Sequence, residues 1–320
     1  MKLIIQIPCL NEEENLPRTL ADLPEKIEGI DRIELLVIDD GSTDRTVELA
    51  KKSGVHHIVS FPRNRGLARA FAAGMDASLK LGADIIVNTD ADNQYVGSYI
   101  NELVKPIMEG KADMVVGDRN TDMIPHFSPL KKKLQKLGSW TVRRLSRSDI
   151  PDTTSGFRAY SREAAIKINI LTDFTYTLES IIQAGNNYID ITHVPVEINP
   201  VSRESRLFSS IPAYLKRSVA TIVRVYTMYQ PLKVFSYLGG FMLLVGFAVS
   251  LRFFISFFQH PELSRHLQSL IFVAICVITG AGLMLVGLVS DLISRNRQLI
   301  EDTLCRVKKL ELFLMYEKKK

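Results

Sequence analysis

The sequence predicts an α/β domain built on a mainly parallel sheet, followed by amphipathic interface helices and a two-helix transmembrane hairpin. Short Val/Ile/Leu-rich runs alternate with segments of helical spacing along the first two-thirds of the chain, the pattern of strand–helix–strand units with right-handed crossovers. Polar clusters rich in carboxylates follow four of those runs. Val234 to Ser290 then covers 57 residues with only three charges, Arg252, Glu262 and Arg265, against 23% charged residues overall. That break excludes a fully soluble chain as the default, and 46% apolar residues over a length of 320 exclude a disordered or fibrous one.

Lys2 to Ile7, Ile33 to Ile38, His57 to Ser60, Ile85 to Thr89 and Met114 to Val116 read as strands. Several are continuous apolar runs, as expected where both faces of a sheet are covered. Asn15 to Leu23, Thr43 to Ser53, Arg65 to Leu81 and Ser98 to Glu109 carry helical spacing. Ligands of such sheets bind off the carboxyl ends of the strands. Those ends hold Pro8, Asn11 and Glu12; Asp39, Asp40, Gly41 and Ser42; Asp90, Asp92, Asn93 and Gln94; and Gly117, Asp118 and Arg119. All four are expected to converge on one site.

Further along, Pro125 to Arg147 is either an amphipathic loop on the membrane or a helix packed on the sheet. From Leu207 to Tyr229 apolar residues recur at three- or four-residue spacing beside Lys216, Arg217 and Arg224. Either one or two helices in the membrane interface or a core helix of the soluble domain fits that pattern. Leu270 to Ser290 gives 21 uncharged residues, enough to cross ~30 Å of hydrocarbon at ~1.5 Å per residue. Val234 to Leu251 forms the other span, and its apolar run continues past Arg252 if the guanidinium snorkels. Basic residues flank the hairpin on both sides while its connector has only Arg265, so both termini are expected in the cytoplasm. The basic tail reads as a solvated or lipid-facing helix. The expected division is 1–206 catalytic, 207–232 interface helices, 233–294 hairpin and 295–320 C-terminal helix. Cys9, Cys276 and Cys305 are isolated, which indicates neither a disulfide framework nor a zinc site.

Asp90-Ala91-Asp92 carries the first chemical signal. Two carboxylates one residue apart at a strand end make either a capped turn or a site for a hard divalent cation, Mg²⁺ or Mn²⁺, with the Gln94 amide as a third oxygen. Neighbouring Asp39, Asp40 and Glu12 strengthen the second reading, because carboxylates this dense repel one another unless a cation or donors compensate. The chain has no G-x-x-x-x-G-K-[ST] loop and no G-x-G-x-x-G after a strand, so neither a P-loop nor a dinucleotide site is supported.

The ordered set Ile7-Pro8-Cys9-Leu10-Asn11-Glu12-Glu13, Val37 to Asp44, Asn64-Arg65-Gly66, Asp90 to Gln94, Gly117-Asp118-Arg119 and Ser155-Gly156-Phe157-Arg158 resembles family 2 glycosyltransferases of the dolichol-phosphate mannose synthase type. The resemblance covers roughly residues 1 to 206. It implies a GT-A fold and inverting transfer of a sugar from a nucleotide sugar, of the GDP-mannose or UDP-glucose type, to a polyprenyl phosphate. It places Pro8, Glu12, Asp39 and Asp90 on the donor, with Asn11 and Asp40 supporting the pocket, and makes Asp90, Asp92 and Gln94 the metal ligands. Arg119, Lys131, Arg158, Arg203, Ser205 and Arg206 fall on the acceptor and phosphate side, Arg158 ordering that site from behind. Asp92 and Arg119 are the expected catalytic groups, and Asp152 is either an assisting base or a loop cap before Thr153-Thr154. Tyr95 stands where relatives often carry His.

The leading expectation is a metal-dependent glycosyltransferase anchored in the cytoplasmic membrane, or the endoplasmic reticulum of a eukaryote, with its catalytic domain in the cytoplasm. A processive polysaccharide synthase and a nonenzymatic membrane scaffold are the alternatives. The basic residues cluster beside the spans and no basic aromatic groove appears, which argues against a nucleic-acid partner. Homo-oligomers stay open, since the spans can pair within or between chains.

Overall fold

The computed structural model describes residues 1–120, 142, 143, 146, 148–170, 176–199, 219, 220, 223, 224, 226–259 and 267–317. The chain divides into two units, Met1–Ile222 with Thr303–Lys320, and Val223–Asp302.

In the first unit, strands β1 (Lys2–Cys9), β2 (Arg32–Asp39), β3 (His57–Ser60), β4 (Ile85–Asn88), β5 (Met114–Asp118), β6 (Arg158–Ser161) and β7 (Ile191–Pro195) form one sheet. Its order is β3-β2-β1-β4-β6-β5-β7. All pairings are parallel except those of β6, which runs antiparallel to both β4 and β5. The first five strands lie where the apolar runs place them; at their carboxyl ends β1 and β5 reach two residues further and β2 one, while β4 stops one residue short. Helices α1 (Leu16–Asp22), α2 (Thr46–Lys52), α3 (Leu67–Lys80) and α4 (Ile100–Met108) fill the crossovers, α4 after one 3-10 turn at Gly97–Tyr99. This is the GT-A architecture. Central β1 and β4 bury Leu3, Ile4, Ile5, Ile7, Ile85, Ile86 and Val87 completely, which explains why those strands lack polar alternation. Helices α5 (Arg162–Lys167) and α6 (Tyr176–Asn186) follow β6.

The second unit contains α7 (Pro231–Gln259), which runs on through Arg252, and the first part of α8 (Leu267–Glu317). Both are long and apolar enough to cross a membrane, and only 6% of the most apolar stretch of α7 is buried, unlike a core helix of a soluble domain. Phe241, Phe247, Phe254 and Phe258 on α7 are exposed, a surface suited to lipid. Where the helices touch, the backbones approach closely: a Cβ on Gly239 would lie 2.7 Å from the Gly280 carbonyl oxygen, the small-residue contact common between membrane helices.

The tail differs from expectation. Instead of a separate helix beyond residue 294, α8 continues unbroken to Glu317, and from Thr303 it belongs to the first unit. Lys308 Nζ donates to Asn169 Oδ1 at 2.7 Å, Lys309 pairs with Glu163 at 2.7 Å and Glu311 with Lys80 at 3.3 Å. Leu312 is buried. One face of these turns is therefore packed on the sheet domain, where its charges match those of α3 and α5, while Val307, Leu310 and Phe313 stay exposed, as expected of a solvated or lipid-facing helix.

Candidate active site

Loops after β1, β2, β4 and β5 supply the site, and their backbones are held by their own polar side chains. Asn11 adopts a left-handed φ of 53° and laces the first loop to the second: its N–H donates to Ser42 Oγ at 2.9 Å and its Oδ1 accepts from Thr43 N at 2.8 Å. Glu12 is buried, its N–H donating to Thr46 Oγ1 at 2.8 Å and its Oε2 accepting from Asn15 at 3.1 Å. Asp40 uses both oxygens to pin the loop after β3, accepting from Arg65 N at 2.7 Å and Gly66 N at 2.9 Å. Between them Gly41 has φ +79°, and a Cβ there would sit 2.5 Å from the Arg63 backbone. Asp39 is also buried; its Oδ1 accepts from Ser42 N at 2.9 Å.

Buried Cys9 registers how closely these loops converge. Burial pushes its thiol well above the usual range, and Glu12, Asp39, Asp44 and Asp90 push it further. Carboxylates from three different strand ends thus act on one atom.

Asp90 and Asp92 close the site from β4. The turn is fixed by Asn93 in the left-handed region (φ 55°) and by Gln94 N–H donating to Asp92 Oδ1 at 3.1 Å. Asn199 clamps it from outside, its N–H donating to the Gln94 carbonyl at 2.8 Å and its Nδ2 to the Asn93 carbonyl at 3.0 Å. Burial raises the Asp90 carboxyl to about 7, the charge of Asp92 adds to this, and Arg119 and Arg158 act against it. Among the described residues no cluster of three or more His, Cys, Asp or Glu is arranged as a metal cage. Two carboxylates one residue apart, one of them raised by burial and by the charge of the other, instead fit a cation that takes its remaining ligands from a substrate diphosphate and water.

Behind Asp90 lies a buried polar network. Gln6 on β1 and Asn88 on β4 stand in register and bond at 2.9 Å. Asn88 Nδ2 donates to the Gly156 carbonyl at 2.8 Å and to Tyr176 Oη at 2.9 Å. Tyr95 stacks on Phe157 at 4.9 Å between centroids, and its hydroxyl accepts from Gly156 N at 3.1 Å. Tyr95 thus braces the loop against Asp90. Polar residues at matched positions of two apolar strands were the available signal for Gln6 and Asn88.

Arg119, after β5, meets Asp152 through two bonds, Nε to Oδ2 at 2.7 Å and Nη2 to Oδ1 at 3.1 Å. Arg158 is completely buried and donates to the carbonyls of Ser155 (2.7 Å), Thr177 (2.8 Å) and Thr153 (2.9 Å) and to Ser180 Oγ (2.7 Å). Its guanidinium therefore orders the 153–155 loop from behind, and it lies among backbone oxygens rather than on an open phosphate face. Lys131, Arg203, Ser205 and Arg206 lie outside the described residues, as do most of the 125–147 and 207–229 segments.

Residues 4–168 match the family described as glycosyl transferase family 2. An uncharacterised protein of Methanocaldococcus jannaschii is 34% identical over 61% of this chain and 81% of its own length. The polyprenol monophosphomannose synthase of Mycolicibacterium smegmatis is 28% identical over 60% of this chain and 76% of its own. Among solved structures, glucosyl-3-phosphoglycerate synthase from Mycobacterium tuberculosis, in complex with Mn²⁺, UDP and glucosyl-3-phosphoglycerate, superposes with a TM-score of 0.55 at 21% identity, covering 70% of this chain and 79% of that one. That likeness extends to the fold.

Proposed function

Because the chain belongs to glycosyl transferase family 2, we propose that it moves a sugar from a nucleoside diphosphate sugar to the phosphate of a polyprenyl lipid. The transfer inverts the anomeric centre, depends on Mg²⁺ or Mn²⁺ and takes place at the cytoplasmic membrane face. The observation carrying this reading is the convergence of carboxylates from three strand ends around Cys9 and Asp90, with the Arg119 guanidinium beside them, in a chain with two membrane-length helices. The relative named polyprenol monophosphomannose synthase supports the acceptor class.

In this reading Pro8, Glu12 and Asp39 hold the nucleoside, and Asn11 and Asp40 fix the loops that carry them. Asp90 and Asp92, with the Gln94 amide, would hold the metal, which when bound supplies Lewis-acid stabilisation of the departing diphosphate. Arg119 orients the acceptor phosphate, with Lys131 proposed as a further acceptor contact and Arg203, Ser205 and Arg206 proposed to close over the phosphates. A phosphate oxygen bonds to the anomeric carbon as the bond from that carbon to the diphosphate breaks. The attacking group is already anionic near neutral pH, so positioning and charge stabilisation supply most of the rate. The donor in this reading is of the GDP-mannose or UDP-glucose type. The basic residues flanking the hairpin support a cytoplasmic side for both termini and the catalytic domain.

The test is transfer from labelled GDP- and UDP-sugars to short polyprenyl phosphates by purified full-length protein, with Mg²⁺ or Mn²⁺ and with EDTA. One organic-extractable product, lost with EDTA and with Asp92→Ala, is expected. Polymer product would move the reading to a processive synthase, and nucleotide-sugar binding without turnover would move it to a scaffold.

A further inference from the structure

We propose that Asp152 is a positioning residue which, together with Thr154, holds Arg119 as an oriented phosphate-binding fork, and that it removes no proton. This rests on the reading of Arg119 as the acceptor-phosphate contact. The three side chains form a closed ring. Arg119 donates from Nε to Asp152 Oδ2 at 2.7 Å and from Nη2 to Asp152 Oδ1 at 3.1 Å and Thr154 Oγ1 at 2.9 Å. Thr154 returns both its hydroxyl proton, at 2.9 Å, and its backbone N–H, at 3.2 Å, to Asp152 Oδ1. Both carboxylate oxygens are thus engaged by charge-assisted or local donors.

A base needs a free lone pair within reach of the proton it takes. Asp152 is 1% exposed and Arg119 12%, so the carboxylate lies behind the guanidinium. Burial by itself would raise the Asp152 carboxyl, but the Arg119 charge and the hydrogen bonds from Arg119 and Thr154 outweigh it and hold the group below the ordinary range. Such a group is a weak proton acceptor and a strong anchor. The Nε and Nη2 donors fix the guanidinium plane, while the Nη1 donors make no hydrogen bond among the described residues. A planar fork held in advance spares the entropy of ordering a long side chain when phosphate arrives. An ionised phosphate acceptor has no proton that must be removed, which fits an anchor and leaves a base without a task.

The experiment uses purified full-length wild type, Asp152→Asn, Asp152→Glu, Thr154→Ala and Arg119→Lys. It reads KM and kcat separately for a short polyprenyl phosphate and for the sugar nucleotide, the pH–rate profile, and the melting temperature as a folding control. Loss of one charge-assisted bond predicts a rise of about tenfold or more in acceptor KM for Asp152→Asn. The donor KM should stay unchanged, the pH profile should keep its shape, and Thr154→Ala should move the same constant by less. Asp152→Asn added to Arg119→Lys should cost little more than Arg119→Lys alone, since both act on one contact. A fall in kcat at unchanged acceptor KM, with loss of the acidic limb of the pH profile, would make Asp152 a base and overturn the proposal. Kinetic constants unchanged in a folded Asp152→Asn would overturn it as well. If Asp152→Asn does not fold, Thr154→Ala decides, and an unmoved acceptor KM there counts against the anchor. Wild type inert toward every polyprenyl phosphate would remove the functional reading itself, and the anchor with it.

Discussion

Replacing Gly156 by Ala puts a methyl group where the site has no room. The added Cβ would lie 2.8 Å from Tyr176 Oη and 2.9 and 3.0 Å from the two Asp90 carboxylate oxygens. Ordinary contact begins near ~3.5 Å, so some group must retreat by about half an ångström. The glycine backbone is pinned on both sides, its N–H by Tyr95 Oη and its carbonyl by Asn88. Tyr176 is equally constrained, stacked on Phe71 at 4.0 Å between ring centroids and 1% exposed. Asp90 is what gives. Overpacking of this kind costs about 1–3 kcal/mol, a fall of roughly 3–10 °C in melting temperature for a domain of this size. An ångström of misplacement in a reacting group costs about a hundredfold in rate, so half of that predicts about tenfold. Initial rates against metal concentration, with melting curves in parallel, provide the assay. A Gly156→Ala enzyme with wild-type rate and metal requirement would show that Asp90 is not where the chemistry is organised.

Metal-free protein should lose stability as pH rises. The Asp90 carboxyl is lifted from 3.8 to about 7, chiefly by burial and then by Asp92, so its contribution is fully present below about pH 4 and is lost as pH rises through about 7. At ~1.4 kcal/mol per tenfold change this reaches at most about 4 kcal/mol, less because the side chain keeps some solvent contact. A divalent cation favours the ionised form, so the gap in melting temperature between Mn²⁺-loaded and EDTA-treated protein should widen from pH 5 to pH 7.5; a constant gap would refute the coupling. At the tail, Leu312→Ala combined with Lys308→Ala removes a buried apolar contact and the bond to Asn169, a loss of about 2–4 kcal/mol. Limited proteolysis should then cut within 303–317 much faster, and an unchanged cleavage rate would show that these turns are not held.

The parallel half of the sheet and its loops were legible because Asn, Asp and Gly interrupt continuous Val/Ile/Leu runs at each strand end. The later half was not. Strand β6 begins at Arg158, whose charge argues for exposure, yet it is buried because carbonyl oxygens of Thr153, Ser155 and Thr177 receive its donors. Strand β7 is only half-buried over much of its length and lacks an apolar run. The positive charges from Arg295 onward suggested that the membrane helix stops there, whereas α8 continues because complementary charges on α3 and α5 receive its last turns. The pairing of Arg119 with Asp152 joins residues 33 positions apart, a distance at which local spacing carries no information. The strand-end reading therefore picked out the loops after β1, β2 and β4 that the structure brings together and left Asp152 undecided between base and cap.

The place of β6 has a consequence for the order of assembly. β4 and β5 follow one another in the chain but do not pair, and the slot between them is filled by a strand that arrives later and runs the opposite way. Until residues 158–161 enter, both inner edges are open and unpaired, a state prone to unwanted strand addition. Their closure draws residues 152–157 against Asp90 and Arg119 in the same event. During synthesis from the N-terminus, the loops after β1 and β2 can take shape early, but the pocket cannot be completed before the whole stretch from 119 to 157 has been made. Sugar transfer is thereby tied to a finished sheet, and a chain stalled before β6 would leave Asp90 without the loop that confines it.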